Sequence, residues 1–158
     1  MEKQLIPNST QIPNVLLDFV IPDLPEGESK CLLYICRRTY GFHKEEDRIS
    51  LSQFINGIKD RNGKALDIGA GVSRSVAVMS LKSLVFADAV LVRKDTKGNF
   101  YRINLECNLD QVVRKVNQFR FRTKSSLESR PKQVQFPNLQ KKVETKRNKV
   151  ELAGSLNI

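Results

Sequence analysis

Residues 71–105 constrain the fold most. In 74–84, Ala77, Leu81 and Leu84 recur at spacings of four and three. That spacing lines one apolar stripe along a helix. Ser73, preceded by Gly71-Val72, stands where an N-cap is needed, because its hydroxyl can accept from a free backbone N–H of the first turn. Ala77 and Ser80 are small, so a second helix can approach closely. A short hinge follows, then the Val/Leu-rich residues 89–94, the turn Asp95-Thr96-Lys97-Gly98 and residues 99–105. Gly98 suits a positive φ at a tight turn. Tyr101, Ile103 and Leu105 alternate, as in a half-buried strand. The stretch predicts a capped helix followed by a β-hairpin with a basic tip.

Arg74, Ser75, Val78, Met79 and Lys82 fall away from the apolar stripe, on the face a partner could meet. The hairpin carries Arg93, Lys94, Lys97 and Arg102, long cations that can reach phosphates or a minor groove. The formal net charge of the 158-residue chain is +10. It divides into +5 over residues 1–122 and +5 over the much shorter 123–158. Such an excess attracts polyanions, of which nucleic acid is the commonest. Helix, hairpin and charge together suggest a recognition helix and wing binding double-stranded DNA. Arg74, one residue past the cap, can donate two hydrogen bonds to a guanine, and Ser75, Val78 and Met79 can add apolar or single hydrogen-bond contacts. An ordinary helix–hairpin unit with a solvated basic rim is the plainer alternative.

The remaining chain supplies a core. Residues 1–11 read as a flexible N-terminus. A short helix between Pro13 and Pro22 would pack Val15, Leu16, Phe19 and Val20. Residues 26–40 form a stronger helix, with Leu32, Leu33, Ile35 and Cys36 inward and Lys30, Arg37 and Arg38 outward. Gly41 could take the left-handed conformation at its end. Arg48-Ile49-Ser50 can be a short strand, and Ser50 or Ser52 can cap a helix containing Leu51, Phe54 and Ile55. Residues 56–70 break the periodicity as a long loop, longer than the turn of an ordinary helix-turn-helix. Asn108 can cap a last helix whose Leu109, Val112, Val113, Val116 and Phe119 lie at helical spacing. That stripe reads as docked on the domain, with a homodimer contact as the alternative. From about Thr123 the composition turns to Lys, Ser, Gln and Asn, which predicts a disordered basic tail over 123–158.

Little in the sequence supports catalysis. Gly57 to Ala65 imitates a phosphate-binding loop, but five residues separate the glycines and Ala65 replaces the required Ser or Thr. Gly69-Ala70-Gly71 lacks the preceding strand of a dinucleotide fold. His43 is the only histidine. Cys31, Cys36 and Cys107 form no metal-ligand pattern and read as buried, reduced thiols. Glu45-Glu46-Asp47 reads as a solvated acidic loop. The expectation is a non-enzymatic chain without metal or cofactor. The amino terminus lacks a signal-peptide core and no apolar run reaches membrane-spanning length, so the expectation is a cytoplasmic protein with no membrane partner.

Several segments match a known family in the right order. They are Thr10-Gln11-Ile12-Pro13-Asn14-Val15-Leu16-Leu17-Asp18, then Leu32-Leu33-Tyr34-Ile35-Cys36-Arg37-Arg38-Thr39-Tyr40-Gly41-Phe42. Arg48-Ile49-Ser50-Leu51-Ser52-Gln53-Phe54, Asn56-Gly57-Ile58-Lys59 and Gly71-Val72-Ser73-Arg74 follow. Over residues 10–105 the chain resembles the N-terminal domain of the bacteriophage replication protein O family. The resemblance implies a winged-helix domain that binds repeated sites in a replication origin. It also implies a separate C-terminal region that recruits the host replicative helicase or its loader, whereas the C-terminal part here is short and reads as disordered. The expected architecture is α+β and mainly α: a winged helix-turn-helix over 12–122 with a β-hairpin wing and an extra helix, then the tail. A transcriptional regulator and a protein-recruiting replisome adaptor use the same architecture, and fold alone does not separate the three. The apolar character of Val76, Val78, Met79, Val85 and Phe86 keeps the adaptor in play.

Overall fold

A computed structural model describes residues 8–128, with side chains to 125. Residues through Ser126 belong to one compact unit. The second unit, Leu127–Ile158, lies almost wholly outside the described residues. The expected flexibility of residues 1–7 and disorder of 129–158 therefore fall outside them too.

The chain is mixed α+β and mainly helical, an arrangement consistent with a winged helix. Its helices are α1 (Asn14–Phe19), α2 (Glu26–Thr39), α3 (Leu51–Asn56), α4 (Arg74–Phe86) and α5 (Leu109–Glu128). The strands are β1 (Asp47–Arg48), β2 (Val90–Asp95) and β3 (Gly98–Ile103). They form one antiparallel sheet in the order β1-β3-β2.

The core gathers where α2, α3 and α4 meet the sheet. Phe54 of α3 is fully buried, with the rings of Tyr34 and Tyr101 each 5.4 Å from its own. Around it lie Leu32 and Ile35 of α2, Leu84 of α4 and Val90 of β2. Ser50 starts α3 with a capping box: its hydroxyl accepts from Gln53 N, and Gln53 Oε1 accepts from Ser50 N. Both exchanges satisfy donors that a helix start leaves open.

Several expectations need correction. Phe19 is 68% exposed, because α1 is a six-residue turn that buries only Leu16, with Val20 following. Arg38 does not face out. It is buried, and its Nε and Nη2 donate to Asp47 Oδ2 at 2.9 and 2.5 Å. Lys44 donates to the other oxygen of Asp47 at 3.2 Å. The end of α2 is thereby tied to β1. The left-handed residue is His43 (φ 56°), not Gly41, since a 3-10 turn over Tyr40–Phe42 carries the helix onward before it closes. Helix α5 runs beyond the expected boundary at Thr123 to Glu128. Leu105 stands past the end of β3 and is exposed, whereas Tyr101 and Ile103 are buried as expected.

Candidate functional site

Helix α4 is held by its small residues. Ser73 caps it, its hydroxyl accepting from Val76 N at 3.4 Å. Ala77, Ser80, Leu81, Ser83 and Leu84 are buried. Helix α2 crosses this stripe at Gly27, where an added Cβ would lie 2.5 Å from Ser80 Oγ and 2.6 Å from Val76 Cγ1. Next to that crossing Glu28 is fully buried. It accepts from Ser83 Oγ at 2.7 Å, Ser80 Oγ at 3.3 Å and Arg120 Nη1 at 3.0 Å. One carboxylate thus joins α2, α4 and α5.

The opposite face of α4 is open. Arg74, Ser75, Val78, Met79 and Lys82 line a groove of about 750 Å³ together with Ser73 and with Phe119 and Thr123 of α5. A second groove of about 750 Å³ separates α4 from the hairpin. Val78, Lys82, Val85 and Phe86 form one wall, and Val92, Lys94 and Asn99 the other. Val78, Lys82 and Phe119 border both grooves, so the groove holding Arg74, Ser75 and Met79 adjoins the one holding Lys94.

The wing candidates divide between faces, because successive strand residues point to opposite sides. Tyr101 and Ile103 are buried, and Lys94, paired with Asn99, falls on their side. Arg93 and Arg102 fall on the other side. Arg93 packs over the Phe100 ring at 4.2 Å, and its Nη2 lies 2.5 Å from Glu46 Oε1. The hydrogen bond to Arg93 holds the Glu46 carboxyl below its ordinary range, and the same bond raises the guanidinium. Arg102 borders a separate shallow cavity with Tyr40, Glu45 and Glu106. Lys97 sits in the hairpin turn, next to Gly98, whose φ of +133° few other residues tolerate. Arg74, Lys82, Lys94 and Lys97 have no ion-pair partner among the described residues.

Phe119 and Thr123 were not anticipated as part of this surface, nor was buried Glu28 as the anchor of α5 beneath it. The α5 periodicity signals docking but not the neighbour docked upon. Glu28 did leave a trace: it lies three, four and seven residues before Cys31, Leu32 and Ile35, an acid on an apolar stripe. Among the described residues no group of three His, Cys, Asp or Glu side chains could hold a metal. The acidic run is engaged in ion pairs, Glu46 with Arg93 and Asp47 with Arg38 and Lys44. Cys31 and Cys36 are free and buried, and Cys107 is free and half-buried. No described helix is long and apolar enough to cross a membrane.

The family model for bacteriophage replication protein O matches residues 8–108. The chain belongs to the bacteriophage replication protein O family. Membership gives it a role in phage replication. The replication protein O match takes in every element from α1 to β3 and stops one residue before α5. Helix α5, which walls the α4 groove with Phe119 and Thr123, therefore lies outside it. No curated protein and no solved structure matches the chain significantly.

Proposed function

We propose that this member of the family binds double-stranded DNA sequence-specifically at a replication origin, as an initiation protein, through the open face of α4 and the inner side of the hairpin. The observation that carries the reading is the pair of adjoining grooves, sharing Val78, Lys82 and Phe119, that Arg74, Ser75 and Met79 line on one side and Lys94 on the other. Among the described residues Arg74, Lys82 and Lys94 make no ion pair, so meeting phosphates breaks none of those described. A major groove about 12 Å wide admits one helix. Arg74 opens α4 and reads a guanine edge, Val78 and Met79 meet thymine methyls, and Lys94 and Lys97 contact phosphates. Arg93 and Arg102 lie on the other side of the sheet and contribute to the general field only. The protein works by binding, without a catalytic step, and a helicase or its loader is the partner it would bring to the DNA.

A second reading rests on the apolar part of the groove between α4 and the hairpin. Val85 and Phe86 are each about 40% exposed, with Val92 across the groove. That surface suits a protein partner and an adaptor role.

The test uses a duplex selected from a random pool and a scrambled control. Arg74→Ala should reduce the selected-to-scrambled affinity ratio by an amount worth about 1–3 kcal/mol. Lys94→Ala with Lys97→Ala should weaken both duplexes alike and lower the salt slope by about one to two units. An unchanged ratio for Arg74→Ala would remove base reading by this residue. Loss of a helicase-loader complex in Val78→Glu, with no DNA binding by any form, would favour the adaptor.

A further inference from the structure

The loop between α3 and α4 is built rather than slack. Lys59 and Ala65 form a β-bridge, Leu66 N donates to Ile58 O at 2.8 Å, and Asp60 N donates to Lys64 O at 2.9 Å. Asp60 Oδ1 fastens the tip by accepting from Asn62 N at 2.9 Å and Lys64 N at 2.8 Å. Asp67 Oδ1 fastens the base, accepting from Tyr34 OH at 3.1 Å and Gly69 N at 2.9 Å. Ala70 N donates to Phe54 O in the core at 2.8 Å. The Asp60 carboxylate is thus turned to the loop's own backbone, and that of Asp67 ties the loop's base to itself and to Tyr34 of α2. Lys59, Arg61 and Lys64 make no ion pair among the described residues, and residues 61–66 are all exposed. The loop returns to the domain only a few residues before Ser73, so it stands at the end of α4 that begins with Arg74.

We propose that this loop is a second phosphate-contacting element of the DNA interface, at the N-terminal end of α4, distinct from the hairpin beside the helix's later turns. The inference rests on the DNA reading above and extends it. A preformed loop loses little conformational entropy when it meets a polyanion. Three flexible cations within six residues can each neutralise one phosphate, and each neutralisation releases counterions. Contacts of this kind fix register on the duplex without reading sequence. Leu66 and Ile68, 65% and 77% exposed, take no part in them.

The experiment compares the full chain with Lys59→Ala/Arg61→Ala/Lys64→Ala, measuring duplex affinity against salt and the phosphates protected from hydroxyl radicals. The triple variant should lower the salt slope by about two to three units, at roughly 0.9 per phosphate. It should keep the selected-to-scrambled ratio and lose protection at phosphates other than those lost by Lys94→Ala/Lys97→Ala. The exchanged variant Lys59→Arg/Arg61→Lys/Lys64→Arg should retain the slope, and thermal unfolding should be unchanged in both. Leu66→Ser/Ile68→Ser should leave DNA binding intact. If the wild type binds the selected duplex while the triple variant shows the same slope and protection, the loop is not at the DNA and only this inference falls. If Leu66→Ser/Ile68→Ser abolishes binding and the cation variant does not, the loop serves an apolar contact and the inference is overturned. A wild type that binds no duplex overturns the DNA reading and this inference together.

Discussion

Arg120→Ala tests the junction that holds α5 against the candidate recognition face. Glu28 is wholly inaccessible to solvent, and its carboxylate has one cationic donor, Arg120, and two hydroxyl donors. Removing one partner of a buried ion pair costs about 3–5 kcal/mol, since the other charge stays buried. Arg120 itself is 46% exposed, so water can partly replace it. That places the expected loss below this range, at about 2–3 kcal/mol. Glu28→Gln behaves differently. It keeps the volume and an acceptor for Ser83, and the half-exposed guanidinium returns to water, so the loss should be near 1 kcal/mol. In the Arg120→Ala background the same Gln removes an uncompensated charge, and the double variant should be more stable than the sum of the single losses by about 1–2 kcal/mol. Urea unfolding of the four chains supplies the cycle. At roughly 4 °C per kcal/mol for a domain of this size, Arg120→Ala should melt about 8–12 °C lower. Amide exchange in α5 should quicken before exchange in α2, because its remaining anchors are the Lys115–Asp88 pair, the Phe86–Phe119 contact and buried Val112 and Val116. Additivity within about 0.5 kcal/mol would refute the view that Glu28 and Arg120 act as one buried unit.

What the sequence made legible follows from periodicity, and what it hid follows from charge. The Ser73 cap, the Ala77-Leu81-Leu84 stripe and the hairpin with its turn at Thr96-Lys97 appear where local rules place them. Those features depend on near neighbours, which a sequence displays. Arg38 was opaque for the opposite reason, and Glu28 left only the trace of an acid on an apolar stripe. A charged residue on a helix ordinarily faces water, and both are buried by partners distant in sequence, Arg120 for one and Asp47 for the other. The wing lay between these cases. Once Tyr101 and Ile103 are inward, the two-residue period sends Arg102 outward, and the antiparallel pairing sends its neighbour Leu91 and the Arg93–Phe100 pair with it. Four similar cations therefore do different things. The candidate face of α4 was legible as a face, but its wall was not. Val112 and Val116 announce that α5 docks, while nothing local says that Phe119 and Thr123 will border Met79 and Lys82.

Gly27→Ala should destabilise the domain by about 1–2 kcal/mol in urea unfolding, because the new methyl overlaps Ser80 Oγ and Val76 Cγ1 and the α2–α4 crossing must open. Stability equal to or above wild type would mean that the crossing yields freely. Alkaline pH should weaken the fold through its thiols. Burial pushes Cys31 and Cys36 each up to about 12, and the Glu28 charge adds to the effect at Cys31. In the unfolded chain the same thiols titrate near 8.5. Above about pH 8.5 the unfolded chain has released protons that the folded chain still holds, so the unfolding free energy falls as pH rises. Tyr34 is also pushed up to about 12, chiefly by burial and then by Asp67, but an unfolded tyrosine titrates near 10 and joins only above that pH. The window from about pH 8.5 to 10 therefore isolates the cysteines. Urea midpoints of the wild type should fall across it, and those of Cys31→Ala/Cys36→Ala should fall much less, from a lower starting stability. Parallel curves for the two proteins would show that the buried thiols do not set the alkaline limit.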